Sequence, residues 1–591
     1  LLVDPVNLVW HAGSYQAFPS RYGFIPLFFA LMLVSAAFQN TAPAKEPAKS
    51  KPEGIVLAAA GLALYFFFLL HILLFYSQQA GVYVYSLWGN TGSLAWALCC
   101  FALGGVLFFV LLAARAKKYL SKRVFALVLC CFVAVEGLYN GLLYMGTPAN
   151  ETESFSVAMD LAEKLPESTG RVKLSRKYTD ANNIGAMGYA SVAHYSSLTR
   201  WDYMVAMKKM GYSGYWMEMS GLGGTTLTDH FLGINTIICQ RDGIDPNYSE
   251  ENTVYQNNWY ALVNNPLVPG NLSGMVLQTA PGAIATLPEG DRFYAQNWLY
   301  QNVYGSEGNL FKRYEPAQLQ NVNYEYNQAE GEYFAYGTAG QAGIFVYQIQ
   351  VGEAETLYFD CFRYLSSRLG EVVDDGFSIS VNDIYIEGIY PNSNNNGLLN
   401  LGTFENQTVT VSIGLLRNEV MRSFGVYGVK QRQLEQAVQN ATTVPLALQT
   451  GGLTASVQSE QGGLLVLPIA YDEGFTALVN GEKAPVYKVL DGFMAVSLQQ
   501  GGNVVELKFL PRGFAPGAVT RLLLAAALLA AALRRAMQRL RGRPSAVAGG
   551  ARILAGRLAL VLLWAAFVAA LAAVYILPIV LWFGGERILV F

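Results

Sequence analysis

Long apolar runs lie near both ends of the chain, and a long stretch of mixed polar sequence separates them. Six runs have the length and apolarity of helices that cross a bilayer, since about 20 apolar residues span its hydrocarbon core. These predicted membrane helices are about 22–38, 54–76, 93–113, 124–145, 515–533 and 558–583. The pattern therefore predicts a polytopic α-helical membrane protein with one large insert outside the bilayer.

The loops between the predicted helices differ in charge, and this difference predicts their orientation. Loops 39–53 and 114–123 are rich in lysine and arginine, and loop 534–557 holds seven arginines and no acidic residue. All three fall on one side when the helices alternate, and positively charged loops stay in the cytoplasm. We therefore expect the polar region 146–514 to be extracytoplasmic.

The polar insert carries strand patterns in its later half and mixed patterns before them. Apolar and polar residues alternate over 377–381 and 408–413, and Asn480-Gly481 predicts a hairpin. We therefore predict five parts: residues 1–145 with an outer N-terminal loop and four membrane helices, 146–320 as an extracytoplasmic α/β domain, 321–449 as an extracytoplasmic β-sandwich with a helical linker, 450–514 as a small β unit, and 515–591 with two membrane helices.

Composition and motifs exclude several classes of function. The 40 basic residues are balanced by 42 acidic ones, so no basic field exists to attract a nucleic acid. The sequence lacks HExxH, CxxC, GxSxG, P-loop and dinucleotide-binding patterns, which disfavours a hydrolase of a known motif class. We predict no metal site and no organic cofactor, and dependence on a divalent cation stays open.

The opening polar loop contains the first candidate binding group. Arg21 falls at the outer end of the first predicted helix, beside Tyr15 and Tyr22. A guanidinium at the membrane surface can bind a lipid phosphate through two hydrogen bonds. It can also simply anchor the helix at the interface, and position alone favours this second role.

Polar residues inside the predicted helices are further candidates, because such residues are costly in a bilayer. Glu136 and Asn140 lie one turn apart, and Arg521 lies in the fifth predicted helix. Glu136 and Arg521 are expected in the outer half of the bundle, where an ion pair and a ligand-binding role are equally open. Outside the helices, run 193–202 mixes aromatic and hydrogen-bonding groups, which suits a sugar or an ordinary packed loop.

Four segments together resemble the YfhO family of bacterial membrane proteins. They are the opening loop and helix (10–38), two runs of the insert (193–212 and 223–239) and the returning β unit (467–514). Glu136 and Asn140, on the helix that leads into the insert, also resemble the pattern of that family. The resemblance extends in order over nearly the whole chain.

The resemblance implies a multi-pass enzyme of the bacterial cell membrane with the GT-C architecture. Such a glycosyltransferase takes a sugar from a polyprenyl-phosphate carrier on the outer face and passes it to a cell-envelope polymer such as teichoic acid. Its expected partners are therefore the lipid-linked sugar, the polymer and membrane lipids. Inverting transfer needs a carboxylate to accept the hydroxyl proton and cations to stabilise the departing phosphate.

The resemblance also implies roles for residues of this chain. Arg21, with His11 and Tyr15 beside it, is expected at the lipid phosphate. Weaker acceptor-side candidates are His194, Tyr195, Arg200 and Asp202, followed by Asp229 and His230. GT-C enzymes carry their catalytic acid in the first outer loop, and this chain begins at Leu1 without a methionine. We therefore expect that loop to be missing, the catalytic residue to be unassigned and the fragment alone to be inactive.

Two other functions compete with glycosyl transfer. One is a non-catalytic envelope protein whose β-domains bind glycans or act as a scaffold. The other is a transporter, which the small number of charged residues in the predicted helices disfavours. The sequence leaves open the sugar, the acceptor polymer and the oligomeric state.

Overall fold

The computed structural model describes residues 32, 60–67, 70, 91–117, 119–145, 160–161, 163–165, 170–176, 181–196, 198–215, 217–241, 250–268, 270–338, 341–362, 376–392 and 394–540. The chain divides into two compact units. The first is Leu1–Thr152 with Leu533–Phe591, and the second is Glu153–Ala532.

The described part of the first unit is helical. Helices α1 (Thr91–Ala116) and α2 (Lys122–Met145) follow each other closely, and the rings of Phe108 and Phe132 lie 6.4 Å apart. They cover the predicted segments 93–113 and 124–145. Segment 558–583 lies outside the described residues, and the first two predicted segments are described only at 32, 60–67 and 70.

The second unit carries the other described helices. They are α3 (Asn183–Ala186), α4 (Trp201–Lys209), α5 (Thr226–Leu232), α6 (Arg292–Asn302), α7 (Gln431–Asn440) and α8 (Phe514–Leu540), whose last turns belong to the first unit. Within the described residues, α8 has the single apolar stretch long enough to cross a membrane, at Phe514–Ala531. Shorter apolar stretches occupy Ala102–Arg115 and Arg123–Val135. The polytopic helical architecture therefore stays a prediction.

The early part of the second unit combines helices with two small sheets. The first sheet has the order β1 (Arg171–Leu174), β5 (Ile234–Gln240), β7 (Tyr260–Asn264), β6 (Thr253–Gln256), with β1 parallel to β5. The second has the order β2 (His194–Tyr195), β4 (Glu218–Gly223), β3 (Tyr212–Tyr215). Helix α5 leads into β5, and Thr225 and Thr228 form a reciprocal cap at its start. Gly233 ends it at φ +67°, a conformation that glycine adopts without strain.

Three sheets build a β-sandwich over the middle of the unit. Their orders are β10 (Gln318–Gln320), β13 (Gly343–Val351), β18 (Gln407–Leu415), β15 (Phe377–Val381), β16 (Ile384–Tyr390); then β11 (Val322–Asn327), β12 (Glu332–Gly337), β19 (Glu419–Met421); and β17 (Leu399–Phe404), β14 (Glu355–Phe362), β20 (Ser423–Lys430), β9 (Lys312–Tyr314). The strands that alternation predicted at 377–381 and 408–413 are β15 and part of β18. Alternate side chains of both strands are buried in the sandwich core.

Two further sheets face each other in the last part of the unit. Their orders are β21 (Thr443–Pro445), β8 (Ser273–Leu277), β24 (Gly463–Ala470), β28 (Phe493–Leu498), β27 (Val486–Val489), and β22 (Ala447–Gln449), β23 (Gly452–Ser459), β29 (Gly501–Phe509), β25 (Phe475–Val479), β26 (Glu482–Ala484). Asn480 and Gly481 connect β25 and β26 with φ values of 54° and 83°, which suit the tight hairpin that the sequence predicted.

Strands and core residues are shared among the three predicted parts of the insert. Strand β8, from 146–320, pairs with both β21 and β24. Strand β9, also from 146–320, completes a sheet of the sandwich by pairing with β20. One hydrophobic core unites Met204, Phe231 and Phe493 from helices α4 and α5 and strand β28. One core is therefore shared by these parts, beside a core within the sandwich and another between the last two sheets.

Candidate functional site

Four of the predicted acceptor-side residues lie on β2 (His194, Tyr195) and at the start of α4 (Arg200, Asp202), with a short loop between them. Strand β2 pairs with β4, with His194 opposite Met219 and Tyr195 opposite Glu218. The side chain of Asn182 fixes this strand, because its Oδ1 accepts from the Tyr195 N–H at 2.8 Å and its Nδ2 donates to the Tyr195 carbonyl at 3.0 Å. The loop is thereby held where α4 begins.

Four charged side chains meet at the start of α4. The Nε of Arg200 lies 3.2 Å from Asp202 Oδ1, and its Nη1 lies 3.3 Å from Asp472 Oδ2. The Nζ of Lys488 lies 3.4 Å from Asp202 Oδ2. The Arg200 guanidinium also lies 6.0 Å from the ring centre of Tyr471. We call these five residues the Arg200 cluster.

The Arg200 cluster is charge-balanced and reaches solvent. The hydrogen bond that Arg200 donates to Asp202 raises the pKa of Arg200 above its usual value, so the guanidinium stays protonated. Exposed ion pairs are worth at most about 1 kcal/mol, so these side chains can exchange partners with a ligand at low cost. Carboxylates accept hydrogen bonds from sugar hydroxyls, and guanidinium and ammonium groups bind anions. The cluster therefore offers both kinds of contact to a polar ligand.

His194 faces the protein core, unlike the charged groups of the cluster. Its Nδ1 lies 3.1 Å from the Val192 carbonyl, and its ring centre lies 6.0 Å from that of Tyr203. Burial lowers the pKa of His194, which keeps the ring neutral at pH 7. Three neighbouring side chains are exposed instead, namely Tyr195 on β2, Leu198 on the loop after it and Trp201 at the start of α4. Leu198 retains 89% of its accessible surface. The structure thus joins Arg200 and Asp202 in an ion pair, whereas His194 contacts Val192 and Tyr203.

The Arg200 cluster lies close to the helix that can cross a membrane. Asp472 Oδ1 accepts a hydrogen bond from the Gly474 N–H at 2.7 Å, and the Gly474 carbonyl accepts one from the Leu510 N–H at 3.0 Å. Helix α8 begins only four residues after Leu510, at Phe514. An ion pair between Glu473 and Arg512 ties the same turn to this connection. The cluster is therefore attached to the base of α8.

The turn that precedes β28 fixes α4 against the last β unit. A Cβ at Gly492 would lie 2.5 Å from the Tyr203 Cα and 2.7 Å from the Asp202 carbonyl oxygen. At the other end of α4, Lys209 Nζ lies 3.0 Å from Asp491 Oδ2. These contacts hold Asp202 at its distance from Lys488.

Replacing Gly492 with alanine is expected to destabilise the unit by about 1–3 kcal/mol, because the added carbon meets backbone atoms that cannot rotate away. Unfolding by urea, followed by tryptophan fluorescence, measures the loss. Gly282→Ala is the matched control, since a Cβ there meets no atom within 4 Å. Equal stability of the two variants would contradict the close approach of α4 and this turn.

Asp229 and His230 lie inside the protein. Asp229 Oδ2 pairs with Lys173 at 2.5 Å, and its Oδ1 accepts a hydrogen bond from Tyr212 at 2.6 Å. His230 Nδ1 lies 2.9 Å from the hydroxyl of Tyr304, and burial lowers its pKa to about 4. Both residues are almost fully covered. These contacts are with other side chains of the protein, and an acceptor role for either residue stays a prediction.

The other predicted site residues are described in part or not at all. Arg21, His11 and Tyr15 lie outside the described residues. Glu136 and Asn140 lie on α2, where the described backbone is helical and the side chains are outside the description. Arg521 lies on α8 and is exposed. The expected lipid-phosphate site and the expected Glu136–Arg521 pair both stay predictions.

Three members of the Arg200 cluster were missed by sequence reasoning. Tyr471, Asp472 and Lys488 lie about 270 residues or more from Arg200 and Asp202, and no local pattern links the two regions. In the described part of the chain, no group of three or more His, Cys, Asp or Glu residues is placed to hold a metal ion.

Structural likenesses to known proteins are weak. An arabinofuranosyltransferase AftD from Mycobacteria aligns with 46% of this chain and 26% of its own at 10% identity, with a TM-score of 0.12. A cycloisomaltooligosaccharide glucanotransferase from Paenibacillus sp. aligns with 33% of this chain and 45% of its own at 9% identity, with a TM-score of 0.15. Scores this low carry no argument about fold or function.

Sequence comparison is decisive for the family. An uncharacterized protein YfhO of Bacillus subtilis (strain 168) is 28% identical over 165 residues, which cover 27% of this chain and 19% of that protein. The family model described as bacterial membrane protein YfhO matches residues 1–520, which include all of the Arg200 cluster. The chain therefore belongs to the YfhO family of bacterial membrane proteins.

Proposed function

We propose that this protein is a multi-pass GT-C-type glycosyltransferase of the bacterial cell membrane, which moves a sugar from a polyprenyl-phosphate carrier to an extracytoplasmic cell-envelope polymer such as teichoic acid. The observation that carries the proposal is the Arg200 cluster at the base of α8. A lipid-linked sugar is presented at the membrane surface, so an enzyme that uses it needs polar acceptor-binding groups close to a membrane helix. Membership of a membrane protein family supports the same setting.

In the proposed reaction an acceptor hydroxyl attacks the anomeric carbon of the lipid-linked sugar. The new glycosidic C–O bond forms as the bond from that carbon to the phosphate oxygen breaks. The hydroxyl proton passes to a carboxylate, and the polyprenyl phosphate leaves with the bonding pair. We assign no residue as this base. The reaction inverts the configuration at the anomeric carbon because the attack comes from the face opposite the phosphate.

Residues of this chain take two roles in the proposal. Asp202 and Asp472 accept hydrogen bonds from acceptor hydroxyls, and Arg200 and Lys488 orient these carboxylates through the ion pairs described above. Arg21, with His11 and Tyr15, binds the phosphate of the carrier. Cations near the departing phosphate lower the barrier because negative charge develops there.

A deletion of the gene in its own host is expected to remove one sugar from an envelope polymer. The wild-type gene should restore that sugar, and Asp202→Ala should restore about tenfold less, since losing one hydrogen bond to a charged group costs about 1.5–3 kcal/mol. Mass spectrometry of the purified polymers measures the sugar. The control is Glu506→Ala, which alters a carboxylate whose ion pair with Lys508 lies on the surface of β29.

Immunoblots must show that both variants reach the membrane in wild-type amounts. A deletion strain whose polymers keep every sugar would contradict the glycosyltransferase proposal. Full restoration by Asp202→Ala would contradict the role of the Arg200 cluster while leaving sugar transfer intact.

A further inference from the structure

A polar groove that shares no lining residue with the Arg200 cluster lies where α6 and α7 border β9, β14 and β20. Its volume is about 780 Å³, within the range of about 300–1,000 Å³ that is typical of small-molecule sites. We call it the β9 groove, and the lining residues that matter here are Asp291, Tyr294, Tyr314, Glu355 and Gln433.

The wall of the β9 groove contains a carboxylate that is held in place. Glu355 is only 6% exposed, and its Oε1 accepts a hydrogen bond from the Tyr314 hydroxyl at 2.5 Å. Both side chains lie over Gly428, where a Cβ would come within 1.9 Å of the same Oε1. The missing side chain at Gly428 makes room for this pair. Its geometry is therefore fixed before any ligand arrives.

An aromatic side chain stands at the edge of the groove. Tyr294 is 60% exposed although it belongs to a well-capped helix. Asp291 caps α6 by accepting from the Phe293 N–H at 2.8 Å, and it also accepts a hydrogen bond from the Tyr427 hydroxyl. The backbone that carries Tyr294 is thus rigid, while the ring remains open to a ligand. A sugar ring can pack its apolar face on such a tyrosine.

The charges that line the groove cancel. Three acidic residues (Asp291, Glu353, Glu355) face three basic ones (Lys312, Arg313, Lys430), and Glu353 pairs with Lys430. Neutral amides complete the lining, among them Gln350 and Gln433. A lining without net charge gives a polyanion no electrostatic advantage, whereas paired charges and amides supply many donors and acceptors for hydroxyl groups.

We propose that the β9 groove is a binding site for a neutral oligosaccharide. Tyr294 packs against one sugar ring, and Glu355, Gln350 and Gln433 bond its hydroxyl groups. Binding at this site involves no chemical step, and the proposal does not depend on the proposed glycosyl transfer.

The test is a printed array of neutral and anionic oligosaccharides, probed with the purified full chain in detergent and followed by titration of the best neutral binder. We expect neutral oligosaccharides to bind. Tyr294→Ala should weaken binding about tenfold, and Gln433→Ala by a smaller factor. Tyr385→Ala is the matched control, because Tyr385 is an exposed tyrosine of β16 outside the groove.

Two results would overturn the proposal. One is binding of anionic glycans alone, or of none, by a protein whose circular dichroism shows it folded. The other is equal loss of affinity in Tyr294→Ala and Tyr385→Ala. Because Tyr294 and Gln433 are exposed, both variants are expected to fold, and their unfolding curves should match that of the wild type.

Discussion

Replacing Arg292 with methionine is expected to lower the free energy of unfolding of the second unit by about 3–5 kcal/mol, because it leaves a buried carboxylate without its cation. Arg292 is 2% exposed and Asp360 is fully covered. The Nε of Arg292 donates to Asp360 Oδ1 at 2.9 Å, and its Nη1 donates to the Asn396 carbonyl at 2.8 Å. The guanidinium also lies 4.7 Å from the ring centre of Phe362.

Arg292 connects separate parts of the second unit. Arg292 begins α6, Asp360 belongs to β14, and Asn396 lies in the loop before β17. Asn396 in turn accepts a hydrogen bond from the Gly214 N–H at 3.0 Å in strand β3. Loss of Arg292 should therefore loosen the contact between the α/β part and the sandwich. It should also leave the buried Asp360 carboxylate without a counter-charge.

Urea unfolding of the full chain in detergent, followed by tryptophan fluorescence, measures the Arg292→Met effect. The control is Arg512→Met, which breaks the ion pair with Glu473 at a residue that is 79% exposed. Exposed pairs contribute about 0–1 kcal/mol, so the control should unfold almost as the wild type does. Similar losses in both variants would contradict the buried network.

Replacing Lys173 with methionine is expected to lower the free energy of unfolding by about 3–5 kcal/mol, because this variant also leaves a buried carboxylate without its cation. The side chains of Lys173 and Asp229 are 1% and 0% exposed, and the Tyr212 hydroxyl bonds to the same carboxylate. The variant leaves Asp229 buried and charged between β1 and α5. The double variant Lys173→Met/Asp229→Asn should recover part of the loss, because it removes that charge.

The same unfolding measurement tests the Lys173 prediction, with Lys508→Met as its control. Lys508 is 71% exposed and pairs with Glu506 at 3.6 Å, so its loss should change stability by less than about 1 kcal/mol. If Lys173→Met unfolds like the wild type, or if the double variant is less stable than the single one, the buried pair is not what holds β1 to α5.

Local sequence patterns predicted the elements that depend mainly on residues close together in the sequence. The alternation at 377–381 reflects one buried and one outer face of a strand, and β15 has that range. Asn480-Gly481 forms its hairpin because both residues accept positive φ. The helical linker predicted within 321–449 is α7, Gln431–Asn440.

Long-range pairings had no signal in the sequence. Strand β8 sits in the middle of a sheet whose other strands lie more than 160 residues later along the chain. Asp472 and Lys488 reach Arg200 and Asp202 by the folding of the last β unit onto α4. Arg292 lies in a polar stretch of sequence, yet it is buried, because Asp360 and backbone carbonyls satisfy its donors. Such partners are fixed by tertiary packing alone.

Sugar transfer from polyprenyl phosphate in a purified system is the sharpest test of the proposed glycosyltransferase. Full-length protein in lipid nanodiscs would receive polyprenyl phosphates carrying radiolabelled hexoses, together with envelope polymers from the deletion strain. We expect labelled polymer and free polyprenyl phosphate in equal amounts, with about tenfold less of both for Asp202→Ala. Folded protein that leaves every lipid-linked sugar unchanged in the presence of each polymer would contradict the proposed glycosyl transfer.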